Sequence, residues 1–174
     1  MTQDRPTEFI VKSGNYFRDA VENLVEILNR EQKEDPDQKL TYINRLIKVY
    51  DTDVILIPET PVIAVAYAGH DEEHTTIGQR QVTTRLDIKL DVFYYHQEAN
   101  LELKQEEIRD ALWELCRILR RNGNLNGLSS LGARVLSSEP MTRIRANDTI
   151  FAGGHIEMVV PILIQSRRGN TTLV

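Results

Sequence analysis

The sequence has little of what disulfide-rich, fibrous or membrane proteins depend on. Its 174 residues include a single cysteine, Cys116, so no internal disulfide can form and a disulfide-stabilised secreted scaffold is excluded. The 9 glycines and 6 prolines are too few for a collagen-like or low-complexity chain. The longest apolar run, residues 61–68, is far shorter than the roughly 20 residues of a membrane-spanning helix. We therefore expect a soluble globular protein without a membrane segment.

Positive charge is also scarce. Lys and Arg total 21 against 26 Asp and Glu, a formal net charge of −5. Proteins that bind duplex DNA through its phosphate backbone carry a clear excess of basic residues, so we expect no such binding here. The basic residues that do cluster suit subunit ion pairs better than a nucleic-acid site. The short arginine clusters are Arg117, Arg120 and Arg121, then Arg143 and Arg145, and finally Arg167 and Arg168.

Two segments have the periodicity of amphipathic helices. Apolar residues recur at intervals of three and four over residues 15–31 and again over residues 101–119. Pro36 prevents the first helix from continuing, because the residue before a proline disfavours the helical region. Arg120 and Arg121 suit the negative end of the second helix dipole. The spacing therefore predicts two helices, at residues 15–31 and 101–119.

The strongest strand pattern lies in the middle of the sequence. At residues 82–94 the even positions are mostly apolar, whereas the odd positions from 83 to 91 are all polar or charged. Such alternation predicts a long strand with one buried and one exposed face. Together with a strand predicted at residues 61–67, it would form an extended hairpin with a polar tip at residues 69–81.

Weaker patterns predict the remaining strands. The β-branched residues late in segment 40–57 favour a strand there, and residues 133–137 favour another. Residues 139–148 are predicted as a connector. Period-two alternation returns at residues 156–164, where Pro161 indicates an edge position or a bulge because it cannot donate to a ladder.

This order of elements predicts an α+β fold. We expect a largely antiparallel or mixed sheet with a long β-hairpin, flanked on one face by two amphipathic helices. The chain should form a single domain over residues 1–174, with a polar N-terminal arm at 1–14, the α+β core at 15–164 and a mobile C-terminal tail at 165–174. Exposed strand edges in so small a sheet favour oligomerisation.

One short motif suggests catalysis. The segment from His70 to His74, His-Asp-Glu-Glu-His, fits the H-x-x-E-H pattern of inverzincins, whose two imidazoles hold zinc on a helix while a carboxylate activates water. Gly69 and Gly78 bracket the motif between two strand patterns, where a solvated hairpin tip is the ordinary interpretation. No third ligand can be named. A zinc-dependent hydrolase using these two histidines is therefore the less favoured alternative.

Other catalytic signatures are missing, so we predict no enzyme, catalytic residue, cofactor or metal ligand. The sequence contains neither G-x-S-x-G nor G-x-G-x-x-G, and Cys116 falls on the apolar side of its predicted helix. We interpret the outward and basic residues as candidates for a partner or oligomer interface. These candidates are Arg85, Lys89, Asp91, Trp113, Arg143, Arg145, Arg167 and Arg168.

Six segments carry a family resemblance through their order along the chain. They are the helix at residues 16–28, Thr60-Pro-Val-Ile-Ala-Val65, Leu90-Asp-Val-Phe-Tyr-Tyr95, the helix at residues 106–119, Asn122-Gly-Asn-Leu-Asn-Gly127 and Gly154-His-Ile-Glu-Met-Val-Val160. In this order the chain resembles the tail-terminator, or tail-completion, proteins of long-tailed bacteriophages. The similarity covers about residues 16–165 and is one of pattern, without a diagnostic short motif.

The resemblance implies a structural and non-enzymatic role. Such proteins form a hexameric ring at the head-proximal end of the tail, terminate growth of the tail tube and join it to the head. The implied partners are further copies of the chain, the tail tube protein and the head connector or stopper protein. DNA would pass through the ring without sequence-specific binding. The implied location is the neck of the virion, after assembly in the host cytoplasm. Another neck or head-completion protein is the alternative within this class.

Overall fold

A computed structural model describes residues 15–34, 41–52, 59–77, 81–97, 101–146, 149–167 and 170–173. These residues form helices, strands and one short 3-10 helix, Ile43–Arg45. In chain order the other elements are α1 (Tyr16–Glu34), β1 (Lys48–Tyr50), β2 (Val62–Ile77), β3 (Gln81–Gln97), α2 (Leu101–Arg121), β4 (Arg134–Ala146), β5 (Thr149–Arg167) and β6 (Asn170–Leu173).

The strands form one mixed sheet in the order β1-β2-β3-β5-β4, with β6 paired to β5. β1 runs parallel to β2, and the other pairings are antiparallel. β2 and β3 form the long hairpin. The predicted α+β class and the largely antiparallel sheet are therefore confirmed.

Both helices pack on the same face of the sheet, which we call the inner face. The even-numbered residues of β3 from Leu86 to Tyr94 are buried there, and Ile88 is 0% exposed. Apolar residues of α1 and α2 join them in one continuous core, with α1 beside β2 and α2 beside β4 and β5. A shift of β3 by one residue would bury its charged odd positions instead, so this burial fixes the register.

One glycine lets α2 approach the sheet closely. A Cβ atom on Gly154 of β5 would lie 2.6 Å from Cδ1 and Cδ2 of Leu112 on α2. Leu112 itself is buried, so it has little room to move. The absence of a side chain at position 154 therefore sets the distance between α2 and β5.

A buried carboxylate holds the 3-10 helix in place. Glu114 of α2 accepts hydrogen bonds from the backbone N–H groups of Thr41, Tyr42 and Ile43 at 2.7, 2.9 and 3.0 Å. These donors lie at the start of the 3-10 helix, where backbone N–H groups lack partners within the helix. Glu114 thus ties α2 to the segment that leads into β1.

The helices agree with the prediction within a few residues. The Asn15 side chain caps α1, because its Oδ1 accepts hydrogen bonds from the N–H groups of Phe17 and Arg18 at 3.1 and 3.2 Å. α1 ends at Glu34 instead of residue 31, and α2 ends at Arg121. The strand predicted late in segment 40–57 is confirmed at β1, whereas residues 53–57 lie outside the described residues, as does the N-terminal arm.

The hairpin is longer than predicted. Residues 69–77, expected as a solvated tip, continue β2 and pair with β3 as far as Ile77 opposite Gln81. The register shifts between Tyr67 and Gly69, and Gly69 has a φ of 129°, a value that favours glycine. The prediction was wrong because it followed side-chain polarity, whereas backbone pairing with β3 sustains the strand.

The second half of the sheet corrects two further predictions. The connector expected at residues 139–148 is wrong, because β4 continues to Ala146 and Pro140 pairs with Gly154. Proline is tolerated there because β4 is an edge strand. The tail was predicted to be mobile and without a strand, but Asn170–Leu173 pairs with β5 as β6.

The interpretation of Pro161 as a local edge position is confirmed. On one side of β5, pairing with β4 ends at Val159 and pairing with β6 begins at Ile164, so Pro161 falls in the gap. Its carbonyl oxygen instead accepts a hydrogen bond of 2.6 Å from the hydroxyl of Ser129. The lack of a backbone N–H at Pro161 therefore removes no hydrogen bond between β5 and β4 or β6.

Candidate interaction surfaces

The face of the sheet opposite the helices, which we call the outer face, carries charges that are largely paired with one another. Arg85 Nε lies 2.9 Å from Asp87 Oδ1, and Lys89 Nζ lies 2.7 Å from Asp71 Oδ2 on β2. These hydrogen bonds hold the pKa of Arg85 and of Lys89 above their ordinary values. The exposed charges of this part of the face are thus compensated locally.

A mixed cluster of imidazole and carboxylates lies further along the outer face. Asp91 on β3 pairs directly with Glu157 on β5, and His155 lies two residues before Glu157 on the same face. His155 Nε2 is 2.9 Å from Asp91 Oδ1. One ligand atom from each of these residues lies within 4.8 Å of the other two. The pairing of β3 with β5 thus brings one imidazole and two carboxylates together on the outer face.

The outer face also has an apolar end, which the sequence analysis did not identify. Val62, Ala64 and Tyr95 are buried there and contact Tyr50 and Phe93. The signal was present in the apolar run of residues 61–68, because a strand buried on both faces lacks alternation. The outer face therefore has an apolar end, charged residues along β3, and the buried apolar residues Val159 and Pro161 on β5.

His70 and His74 lie on the inner-face side of β2, in a strand instead of a helix. The register places His70 opposite Ile88, whereas Glu73 lies opposite Arg85 on the outer face. The carboxylate of the H-x-x-E-H pattern therefore points away from both imidazoles, as alternation in a strand requires. This arrangement does not match the helical site that inverzincin chemistry needs.

Each of these two histidines has local partners. Nδ1 of His70 lies 2.5 Å from the hydroxyl of Tyr67, and its ring lies 4.6 Å from that of Phe17 on α1. Nδ1 of His74 lies 3.0 Å from Oγ1 of Thr84 on β3. These contacts place the histidines in the packing between α1 and the hairpin, and along the hairpin itself.

β4 presents a long free edge. It pairs with β5 on one side, and no strand among the described residues pairs with its other side. Leu136 and Met141 on β4 are 58% and 37% exposed, and Leu131 just before β4 is 51% exposed. Edge strands offer a row of backbone donors and acceptors to another chain, so natural monomers usually shorten or charge them. β4 carries some protection in Arg134, Glu139, Pro140 and two register shifts, but its 13 residues still leave Leu136 and Met141 exposed along the free edge.

The predicted interface residues do not form one surface. Arg85, Lys89 and Asp91 lie on the outer face, whereas Trp113 belongs to α2, which packs on the inner face. Trp113 is 59% exposed, with the Arg120 guanidinium 5.8 Å from its ring centroid. Of the other candidates, Arg143 and Arg145 are in β4 and Arg167 ends β5, but their side chains, and all of Arg168, lie outside the described residues.

Compared with known protein families and with characterised proteins, the chain matches none. Neither of the described helices combines the length and apolar character that crossing a membrane requires. The interface role of the residues above stays a prediction, which rests on the geometry of this chain.

Proposed function

We propose that the protein is a structural subunit that assembles with copies of itself into a closed ring, as the tail-terminator proteins that its sequence resembles do. In this role it would end growth of a phage tail tube at the head-proximal end and join the tail to the head connector. The observation that carries the proposal is the free edge of β4, with Leu136 and Met141 exposed along it.

The free edge of β4 favours an assembly in which each copy makes the same contact with the next copy around a ring. β1 forms the opposite edge of the same sheet, and Ile47 beside it is 50% exposed. Contact between the β4 edge of one copy and the β1 edge of the next would join two different surfaces, and such head-to-tail contacts close into rings when the rotation matches. Six copies is the number that the resemblance implies.

The charges of the outer face fit passage of DNA better than its capture. Arg85 and Lys89 are engaged by Asp87 and Asp71, so these two cations of β3 are compensated within the sheet. Duplex affinity grows with the number of phosphates that basic side chains neutralise. A ring lined by such a face would let DNA move through it. Tube and connector proteins would then contact the two annular ends of the ring.

Native mass spectrometry and negative-stain imaging over a concentration series test the assembly, with and without purified tail tubes. The unmodified protein should form a ring alone or on the tube. Leu136→Lys and Met141→Lys should abolish it, because charged side chains block edge pairing. Tyr67→Ser is a control, since Tyr67 is 43% exposed on β2, which β3 and β5 separate from β4.

Binding assays with different partners distinguish a tail terminator from another neck or head-completion protein. Binding to tail tubes supports a tail terminator, whereas binding only to purified head connectors supports another neck or head-completion protein. A chain that stays monomeric at high concentration and binds neither would overturn the proposal.

A further inference from the structure

We propose that Asp91, His155 and Glu157 form a binding site for a divalent transition-metal cation, with Zn²⁺ as the ion best suited to it. This site is separate from the β4 edge and does not rest on the proposed ring. The pairing of β3 with β5 creates it, because Asp91 and Glu157 are direct partners and His155, two residues before Glu157, lies on the same face.

The spacing of the ligand atoms fits one ion. His155 Nε2 and Asp91 Oδ1 are 2.9 Å apart, and one ligand atom from each of Asp91, His155 and Glu157 lies within 4.8 Å of the other two. Two ligands that each bind zinc at about 2.0–2.2 Å in a tetrahedral site lie roughly 3.3–3.6 Å from each other. A cation can therefore replace the hydrogen bond between His155 and Asp91 with small side-chain rotations, while Glu157 closes in from β5.

The imidazole is already oriented for this role. The ring of His155 stacks on Phe93 with centroids 4.8 Å apart and an interplanar angle of 16°, and Phe93 stacks in turn on Tyr95. His155 and Asp91 are half-buried, on the two strands that form the longest pairing of the sheet. Ligands fixed by packing lose little entropy when they bind an ion.

The chemistry of the ligands selects the ion. One imidazole nitrogen and two carboxylates suit Zn²⁺ or Mn²⁺, whereas Mg²⁺ and Ca²⁺ prefer oxygen ligands alone. The nearest basic group of β3 on this face, Lys89, is engaged by Asp71 at 2.7 Å. Lys89 is thus directed to β2, on the side of β3 opposite to β5.

Calorimetric titration of the full chain, purified without an affinity tag and treated with a chelator, with zinc chloride at pH 7.5 tests the site. We expect one zinc per chain, and affinity lowered at least about tenfold by His155→Ala and by Glu157→Gln. His74→Ala is the matched control, because His74 is exposed on β2 near Glu72, 3.8 Å away, and should leave affinity unchanged.

A second readout guards against misfolding of the variants. Cobalt(II) bound at the site should give visible absorption bands whose intensity reports its coordination, and Glu157→Gln should change them while circular dichroism stays the same. Two results would overturn the proposal. One is the absence of saturable zinc binding up to millimolar concentration. The other is zinc affinity that His155→Ala leaves intact and His74→Ala removes.

Discussion

The inner face of the sheet is apolar wherever the helices cover it, whereas the outer face of β3 carries charges that pair with one another or with residues of β2 and β5. Ile88 and Lys89 are neighbours on β3, yet the first is fully buried and the second lies in solvent beside Asp71. Burial of an aliphatic side chain contributes about 1.5–3 kcal/mol, whereas exposed ion pairs contribute little. The inner face therefore holds the fold together, and the outer face and the β4 edge are left for contacts.

The largest effect should come from placing a charge on the inner face. Ile88→Asp puts a carboxylate among the side chains of β3, β5 and the helices, where no partner or water can compensate it. We expect loss of more than about 4 kcal/mol of stability, so that the chain does not fold. Circular dichroism and thermal unfolding measure this. A folded variant with an unchanged melting temperature would contradict the assignment of the two faces.

Removing the buried carboxylate should have the next largest effect. Glu114→Ala leaves three backbone N–H groups of the 3-10 helix without their acceptor. Because hydrogen bonds to charged groups are worth about 1.5–3 kcal/mol, we expect a loss on the order of 3 kcal/mol. Urea denaturation measures the free energy of unfolding. Glu114→Gln, which keeps one acceptor oxygen, should lose less, and equal losses would count against the capping role.

Filling the gap between α2 and β5 should cost less. Gly154→Ala brings a methyl group within 2.6 Å of the Leu112 side chain, so the helix or the side chain must move. Overpacking of this kind costs about 1–3 kcal/mol. The double variant Gly154→Ala/Leu112→Ala should be less destabilised than the sum of the two single variants. Strict additivity in urea denaturation would show that the two residues do not compete for space.

The smallest effect is expected on the outer face. Lys89→Ala removes the ion pair with Asp71, in which both side chains are exposed. Its melting temperature should stay within about 2 °C of that of the unmodified protein, at low and at high salt. A drop as large as that of a core variant would show that this face carries stability of its own.

The sequence pattern predicted structure best where the periodicity of side chains within one helix or strand shows which of its faces is buried. The alternation along β3 gave its two faces, and the spacing of apolar residues gave α2, because both periodicities are local. It found only the start of β4, the strand predicted at residues 133–137, because Pro140 and the register shift between Val135 and Ser137 interrupt the alternation. It failed in the distal half of β2, which is polar on both faces.

The interaction sites depended on pairings that no local pattern reveals. Asp91 meets His155 and Glu157 only because β5 lies next to β3, some 60 residues further along the chain. Glu114 reaches the 3-10 helix across a similar separation. The free edge of β4 likewise follows from the strand order. The outward position of Lys89 was predicted, whereas its engagement by Asp71 required the register of the hairpin.

Backbone amide hydrogen exchange along β4 tests the assembly through its free edge most directly. The unmodified protein should be compared with Leu136→Lys at the highest concentration used for native mass spectrometry, alone and on the tail tube. In the unpaired edge, the N–H groups that point away from β5 exchange quickly, and pairing with a neighbouring copy slows their exchange. We predict protection of β4 in the assembled protein and its loss in the variant. Equally fast exchange of β4 in an assembled and in a monomeric sample would contradict the account.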